Sequence, residues 1–204
     1  MISRRTKETE ARRARVLVVV ADLQRKGGSE AVTLARVSKA ARVSTGSIYH
    51  QFGDKDGLLD AAFESLILEY RAYVLERVTS EGSTARRYVT ALVSAHLAWV
   101  FDHPDEARTL FRTRRALSGE RARAARRATG AFASEVLGGL RKVARRGEVV
   151  VLPNAYASAV VLGPAQEIVR QWLGGRLPDL DPAEAIRTLS EAAWRAVKGP
   201  GSRA

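Results

Sequence analysis

Apolar side chains recur at steps of three and four along most of this chain, the period of helices with one face toward a core. In residues 8–26, ETEARRARVLVVVADLQRK, the stripe is Val16, Val19, Val20 and Leu23, and Gly27–Gly28 close it as helix C-terminal glycines do. Three units follow, each opened by a good N-cap residue. Thr33 precedes LARVSKAA, Ser44 precedes TGSIYHQF, and Asp54 precedes KDGLLDAAFESLILEYRAYVLERV. Leu34, Val37 and Ala41 share one face, and Val43, Ile48 and Phe52 carry it across the turn. That pattern predicts a helix-turn-helix. In the third unit Leu58, Phe63, Leu66, Tyr70 and Val74 step round one side, which predicts a long connector helix over about 55–79.

Further on, TSEGST at 79–84 predicts a break, and helix resumes over 85–101 with Tyr88, Leu92, Ala95 and Trp99 in register. Pro104 and the acids after it suit a new helix start. Residues 120–146 alternate arginines with Phe132, Val136, Leu140 and Val143, a one-sided amphipathic helix. RRGEVVVLPN is the one stretch with β character and reads as a loop or an extended linker. Helix is expected again over 154–174, with Pro164 kinking or restarting it. Asp181 and Pro182 open a last helix ending near Lys198. The expectation is an all-α protein of about nine helices: an N-terminal helix-turn-helix three-helix domain over 1–53 and a larger helical domain over 54–204.

Composition sharpens this picture. Alanine, leucine, valine and arginine dominate and aromatics make up 6% of the 204 residues, a mixture that favours helices. With no cysteine there are no disulfides, thiolate metal sites or cysteine nucleophiles, and a cytoplasmic location is expected. The basic start carries no apolar stretch, so no signal peptide is expected. VLVVVA and ASAVVLG, the longest apolar runs, are too short to cross a bilayer, so no membrane association is expected. The net charge of +12 is unevenly placed. Residues 1–50 hold eleven Lys/Arg and four Asp/Glu, 51–107 five and ten, 108–146 twelve and two, and 147–204 six and six. Two basic regions thus flank an acidic one. A basic block suits a polyanion, most often nucleic acid, and equally suits a solvated arginine-rich face. For the 108–146 cluster, an extended nucleic-acid footprint, a solvated helix face, attraction of an anionic ligand and pairing with the acidic region all remain open.

The chemistry concentrates in VSTGSIYHQFGDKDGLL, residues 43–59. If Ile48 and Phe52 take the inner face, Thr45, His50 and part of Tyr49 face outward near the start of the helix. The second helix of such a motif places its N-terminal half in the major groove, where hydroxyls, His and Tyr reach base edges or phosphates. Ser44 is a cap. Gly46 permits close approach of a backbone. Lys55 in the first turn of the next helix makes a phosphate grip, and Thr33 offers a capping hydroxyl. Arg36, Lys39 and Arg42 add charge around the same place.

Elsewhere the signals are weaker. His96 and His103 stand two helical turns apart, but Pro104 interrupts them and a metal needs more ligands, so no metal or cofactor is expected. Ser47 and His50 lack an orienting acid and a nucleophile elbow, so no enzyme is expected. Tyr88, His96, Trp99, Phe111 and Trp172 are candidates to line a ligand cavity, and each reads equally as ordinary core. Ala155, Ala159 and Gly163 form a small-residue strip at four-residue steps, and Ile186, Leu189 and Ala193 lie on the last helix. Together they are candidates for a homodimer interface of four-helix-bundle type.

TLARVSKAARVSTGSIYHQFGDKDGLL resembles the N-terminal domain of TetR-family transcriptional regulators, through Thr33, Ser44–Thr45–Gly46–Ser47, Ile48–Tyr49, Phe52 and Lys55 before Leu58–Leu59. The likeness covers roughly residues 10–62. It implies a homodimer on a palindromic double-stranded DNA operator, with a C-terminal helical domain that dimerises and binds a small-molecule ligand. In that likeness Thr33 and Lys55 are backbone contacts, and Thr45, Ser47, Tyr49 and His50 are recognition-helix contacts. Arg42 departs from it, standing where the family has glycine in the turn; a positive φ costs arginine more. The expected function is a repressor released by its ligand; a helical enzyme and a ligand-independent architectural DNA-binding protein are the alternatives.

Overall fold

The computed structural model describes residues 4–116, 119–145 and 147–201, without the side chains of 4–5, 112–116, 119–122, 124–126, 128 and 155. The side chains of Arg112, Arg114, Arg115, Arg121, Arg126 and Arg146 in the basic cluster, and that of Ala155, therefore lie outside the described residues. Among the described residues nine α-helices carry the fold. They are α1 (Arg4–Gly27), α2 (Leu34–Ala41), α3 (Thr45–Phe52), α4 (Lys55–Glu81), α5 (Ala85–Asp102), α6 (Pro104–Ala116), α7 (Gly119–Val143), α8 (Asn154–Leu173) and α9 (Pro182–Val197). A 3-10 turn, Ser29–Ala31, links α1 to α2. The β-like stretch contributes an isolated antiparallel bridge, Val149 to Lys198.

Two expected boundaries move. α4 runs past Thr79 and Ser80 and ends at Glu81. Its break falls at Gly82, where a Cβ would collide with the Val78 carbonyl and the Tyr88 ring. α8 does not restart at Pro164. Ala157, Val161, Ala165 and Val169 are buried at four-residue steps on both sides of the proline. One continuous packed stripe holds the helix together although proline removes an intrahelical hydrogen bond.

The chain divides into two compact units, Met1–Glu69 with Asp105–Thr113, and Tyr70–Pro104 with Arg114–Ala204. The division falls inside α4. In the first unit α1 packs on α2 and α2 on α3. Val16, Val20, Val32, Val37, Ile48 and Leu58 are fully buried there, each contributing about 1.5–3 kcal/mol of apolar burial. In the second unit α5 packs against α7, α8 and α9, and α8 against α9. α5 is buried almost all round, as suits the central helix of a bundle. Two of its polar side chains find partners on other helices: Tyr88 donates to the Val136 carbonyl at 2.9 Å, and Ser94 meets Ser190 at 2.9 Å. Gly139 makes room for the Tyr88 hydroxyl, since any Cβ there would overlap it. The exposed Arg86–Glu191 pair at 3.0 Å adds at most about 1 kcal/mol.

Candidate nucleic-acid interface

The geometry of α2 and α3 is set by three local caps. Thr33 Oγ1 accepts from the Arg36 amide at 3.3 Å, Ser44 Oγ accepts from the Ser47 amide at 3.2 Å, and Asp54 Oδ1 accepts from the Gly57 amide at 2.9 Å. Each satisfies an orphan amide of a helix first turn. Between the helices, Arg42 adopts φ 54, ψ 48, left-handed, and its amide and that of Val43 both close on the Ser38 carbonyl. The turn therefore keeps the glycine-like conformation with arginine in place, at a cost of about 1–2 kcal/mol. The Arg42 side chain stands in solvent beside α3. α3 ends at Gly53, φ 78, whose amide donates to the Tyr49 carbonyl at 2.8 Å.

With Ile48 and Phe52 buried, the other face of α3 is left outside. Thr45, Gly46 and His50 are exposed, Tyr49 is 63% exposed, and Ser47 is half-buried. Lys55 opens α4, with Nζ 3.8 Å from Glu30, a carboxylate 97% exposed to water. Arg36 is exposed and donates to the Ala31 carbonyl at 3.0 Å. Thr33, Arg36, Arg42, Ser44, Thr45, Gly46, Tyr49 and His50 are thus all exposed on the first unit, with Ser47 and Lys55 partly covered.

Gly46 is informative because its own fold does not require it. A Cβ there meets no atom within 4 Å. Glycine inside a helix costs about 0.8–1.0 kcal/mol relative to alanine. Gly46→Ala is expected to raise stability by about 0.5–1 kcal/mol in urea unfolding while weakening binding to duplex DNA. Stabilisation with unchanged DNA affinity would remove the reason for a glycine at this place.

In the second unit, His96 is the buried histidine. Its Nδ1 lies 2.8 Å from the Tyr70 hydroxyl, and Nε2 is buried with no hydrogen-bond partner. Burial pushes its pKa down to about 4, so the ring is neutral at pH 7. Tyr70 meets Trp99 edge-on at 5.0 Å and is tilted to Phe132 at 6.3 Å. The hydroxyl of Tyr73, one turn along α4, is also buried and unpartnered. The other candidates separate from this cluster. Tyr88 engages the Val136 carbonyl, Trp172 packs edge-on against Phe101 at 5.0 Å, and Phe111 belongs to the first unit. His103 is exposed, and among the described residues no three His, Asp or Glu side chains are grouped to hold a metal. Of the small-residue strip, Ala159 is exposed and Gly163 has open space around it, while Ile186 and Leu189 are half-covered. Ala193, only 4% exposed, is buried within its own unit.

Sequence reasoning passed over Tyr70 as the partner of His96, because its aromatic character read as connector-helix packing. It also passed over Thr9, Arg12 and Gln51, which line a groove with Ser47 and His50. The signal for Arg12 was present in the basic start of α1.

A capped helix-turn-helix, with its second helix exposed on one face and continuing into a shared helix and a second all-helical unit, defines a class of two-part helical proteins. Comparison places the chain within that class. Residues 20–62 match the family model for bacterial regulatory proteins of the TetR family, and 82–177 match the tetracyclin repressor-like C-terminal domain. The chain belongs to the TetR family. The HTH-type transcriptional regulator BetI of Burkholderia ambifaria is 33% identical over 87 residues, 43% of this chain and 45% of that protein. The match thus spans less than half the length of that curated relative. A TetR family transcription regulator from Marinobacter aquaeolei VT8 superposes with a TM-score of 0.69 at 20% identity, over 97% of this chain and 100% of that one. The transcriptional regulator FadR of Bacillus subtilis, solved in complex with stearoyl-CoA, gives 0.70 at 15% identity, over 90% and 98%. At such identities the likeness is one of fold.

Proposed function

We propose that this chain is a DNA-binding transcriptional regulator, without enzymatic activity and acting in the cytoplasm. Two copies each insert α3 into the major groove of a palindromic operator, and a small molecule bound in the second unit releases them, so the protein acts as a repressor. The observation that carries the reading is the division of α3. Ile48 and Phe52 belong to the core, and Thr45, Gly46, Tyr49 and His50 stand in solvent along the outer face of a capped helix. Thr45 and His50 supply hydrogen-bonding groups for base edges, and Tyr49 supplies an apolar ring and a hydroxyl. Thr33 and Lys55, at the starts of α2 and α4, take phosphates on either side and fix the register.

Other features support the finer parts of this reading. Ala159 and Gly163 leave part of α8 open for close approach of a second copy, with Tyr156 65% exposed on the same helix. The unpartnered Nε2 of His96, among Tyr70, Trp99 and Phe132, suits a largely apolar ligand carrying one hydrogen-bonding group. Each unit holds part of α4, so a ligand that favours one arrangement of the second unit shifts the spacing of the two recognition helices. The BetI relative is named a transcriptional regulator and FadR was solved with an acyl-CoA, which agrees with regulation by a small molecule.

The test is selection from a pool of random-sequence duplexes with the full chain. The expected product is an inverted repeat whose half-sites are separated by about one helical turn or a multiple of it. Enrichment of a single unrepeated site would refute the two-copy reading, and enrichment of nothing would refute sequence-specific binding altogether.

A further inference from the structure

The stripe that α1 turns toward the core changes character partway along. Leu23, Val20 and Val16 follow one another at helical steps, and Val16 and Val20 are fully buried. The same steps continue toward the N-terminus into Arg13, Arg12 and Thr9. Arg13 marks the end of the core, its guanidinium lying over the Phe52 ring at 4.9 Å. Beyond it α1 runs on to Arg4 with Thr9 and Arg12 exposed. At 1.5 Å per residue the stretch from Val16 back to Arg4 extends roughly 18 Å.

This overhang is placed beside α3. Glu8, Thr9 and Arg12 form one wall of a groove whose other wall is Ser47, His50 and Gln51. Both walls are polar, and the second wall belongs to the helix read above as the recognition helix. Residues 4–15 carry six Lys/Arg against two Glu, a net +4. The family match begins only at residue 20, so this half of α1 stands outside it. A short helix extended beyond its core is marginal in water.

We propose that the N-terminal half of α1 is a second DNA-contacting element, in which Arg12 holds the sugar-phosphate strand that lies along α3. The inference rests on the DNA-binding reading and deepens it: α3 reads bases, and the groove beside it seats the backbone. Arg12 supplies a charge-assisted donor fork to a phosphate, with Thr9 and Gln51 as neutral partners. Glu8 is the one carboxylate in the groove and opposes the strand. A phosphate contact fixes position without carrying sequence information, and each one adds counterion release.

The experiment measures binding of the full chain to the selected duplex and to an unrelated duplex of equal length, across a salt series. Arg12→Gln is expected to lower the slope of log K against log salt by about 0.9. It should weaken both duplexes by the same several-fold factor, and Arg12→Lys should restore the slope. Glu8→Gln should tighten both. Both positions, Arg12 and Glu8, are solvent-exposed, and equal thermal midpoints verify that the fold is retained. An unchanged slope and affinity for Arg12→Gln, with the wild type binding normally, overturns the α1 contact and leaves the α3 reading standing. Loss on the selected duplex alone with an unchanged slope overturns the phosphate assignment. A wild type that binds neither duplex overturns the DNA reading and this inference with it.

Discussion

Replacing Tyr49 and Lys55 together with alanine is expected to lower affinity for the selected operator about 100-fold or more, with the fold intact. A good base contact is worth about 1–3 kcal/mol, and a phosphate contact made by lysine adds an electrostatic share that grows as salt falls. Neither side chain holds the first unit together. Tyr49 is 63% exposed, and the Lys55 partner Glu30 is 97% exposed, so the existing ion pair is worth under about 1 kcal/mol. The two changes separate by their signatures. Tyr49→Ala should reduce discrimination between operator and unrelated duplex, and Lys55→Ala should weaken both and flatten the salt dependence. Fluorescence anisotropy with labelled duplexes reads affinity, and sedimentation reads self-association. An affinity within threefold of wild type, with self-association unchanged, would mean that α3 is not the reading helix.

The second large effect concerns acid. The folded second unit holds His96 neutral, with a pKa of about 4 caused by burial, while in the unfolded chain the imidazole returns to about 6.5. Below that higher value the unfolded state takes up a proton that the folded state refuses. Stability contributed by this site is complete above about pH 6.5 and is lost as pH falls toward 4. With about 1.4 kcal/mol per pKa unit, the loss approaches roughly 3 kcal/mol at the acid end. Urea unfolding at pH 7.5, 6, 5 and 4.5 should show a steeper decline for wild type than for His96→Leu. The variant is less stable at neutral pH, since it removes the hydrogen bond between the His96 ring and the Tyr70 hydroxyl. The difference between the two therefore narrows on acidification. Parallel declines would mean that the His96 ring titrates without linkage to folding.

The parts of this protein legible in its sequence are those set within a few residues. Thr33, Ser44, Asp54, Thr84 and Asp181 each accept from a helix amide two or three residues downstream, and an oxygen beside an orphan amide needs no distant help. The exposed face of α3 follows from Ile48 and Phe52, four residues apart, both turned inward. The left-handed turn at Arg42 was harder to read, because its residue type argues against the conformation. Packing of Ala41, Val43 and Ile48 into one core imposes the turn regardless.

Pairings across long separations were not readable. Tyr70 meets His96 26 residues away, Tyr88 reaches Val136 across 48, and Ser94 meets Ser190 across 96. Nothing in local periodicity names a partner so far along the chain. The same blindness hid that Phe111 belongs with the first unit and that Ala193 is covered by its own unit. α8 likewise runs through Pro164 because the buried residues on either side of it meet the bundle as one surface.

Helix identity, caps and the polar face of α3 were thus dictated by the order of residues alone, since hydrogen bonds and side-chain direction repeat every turn. Which buried groups find partners, which aromatics gather round His96, and where α1 outruns its core were decided by assembly. Those outcomes depend on surfaces brought together from distant parts of the chain, and each is set by the shape and polarity of the surface it meets.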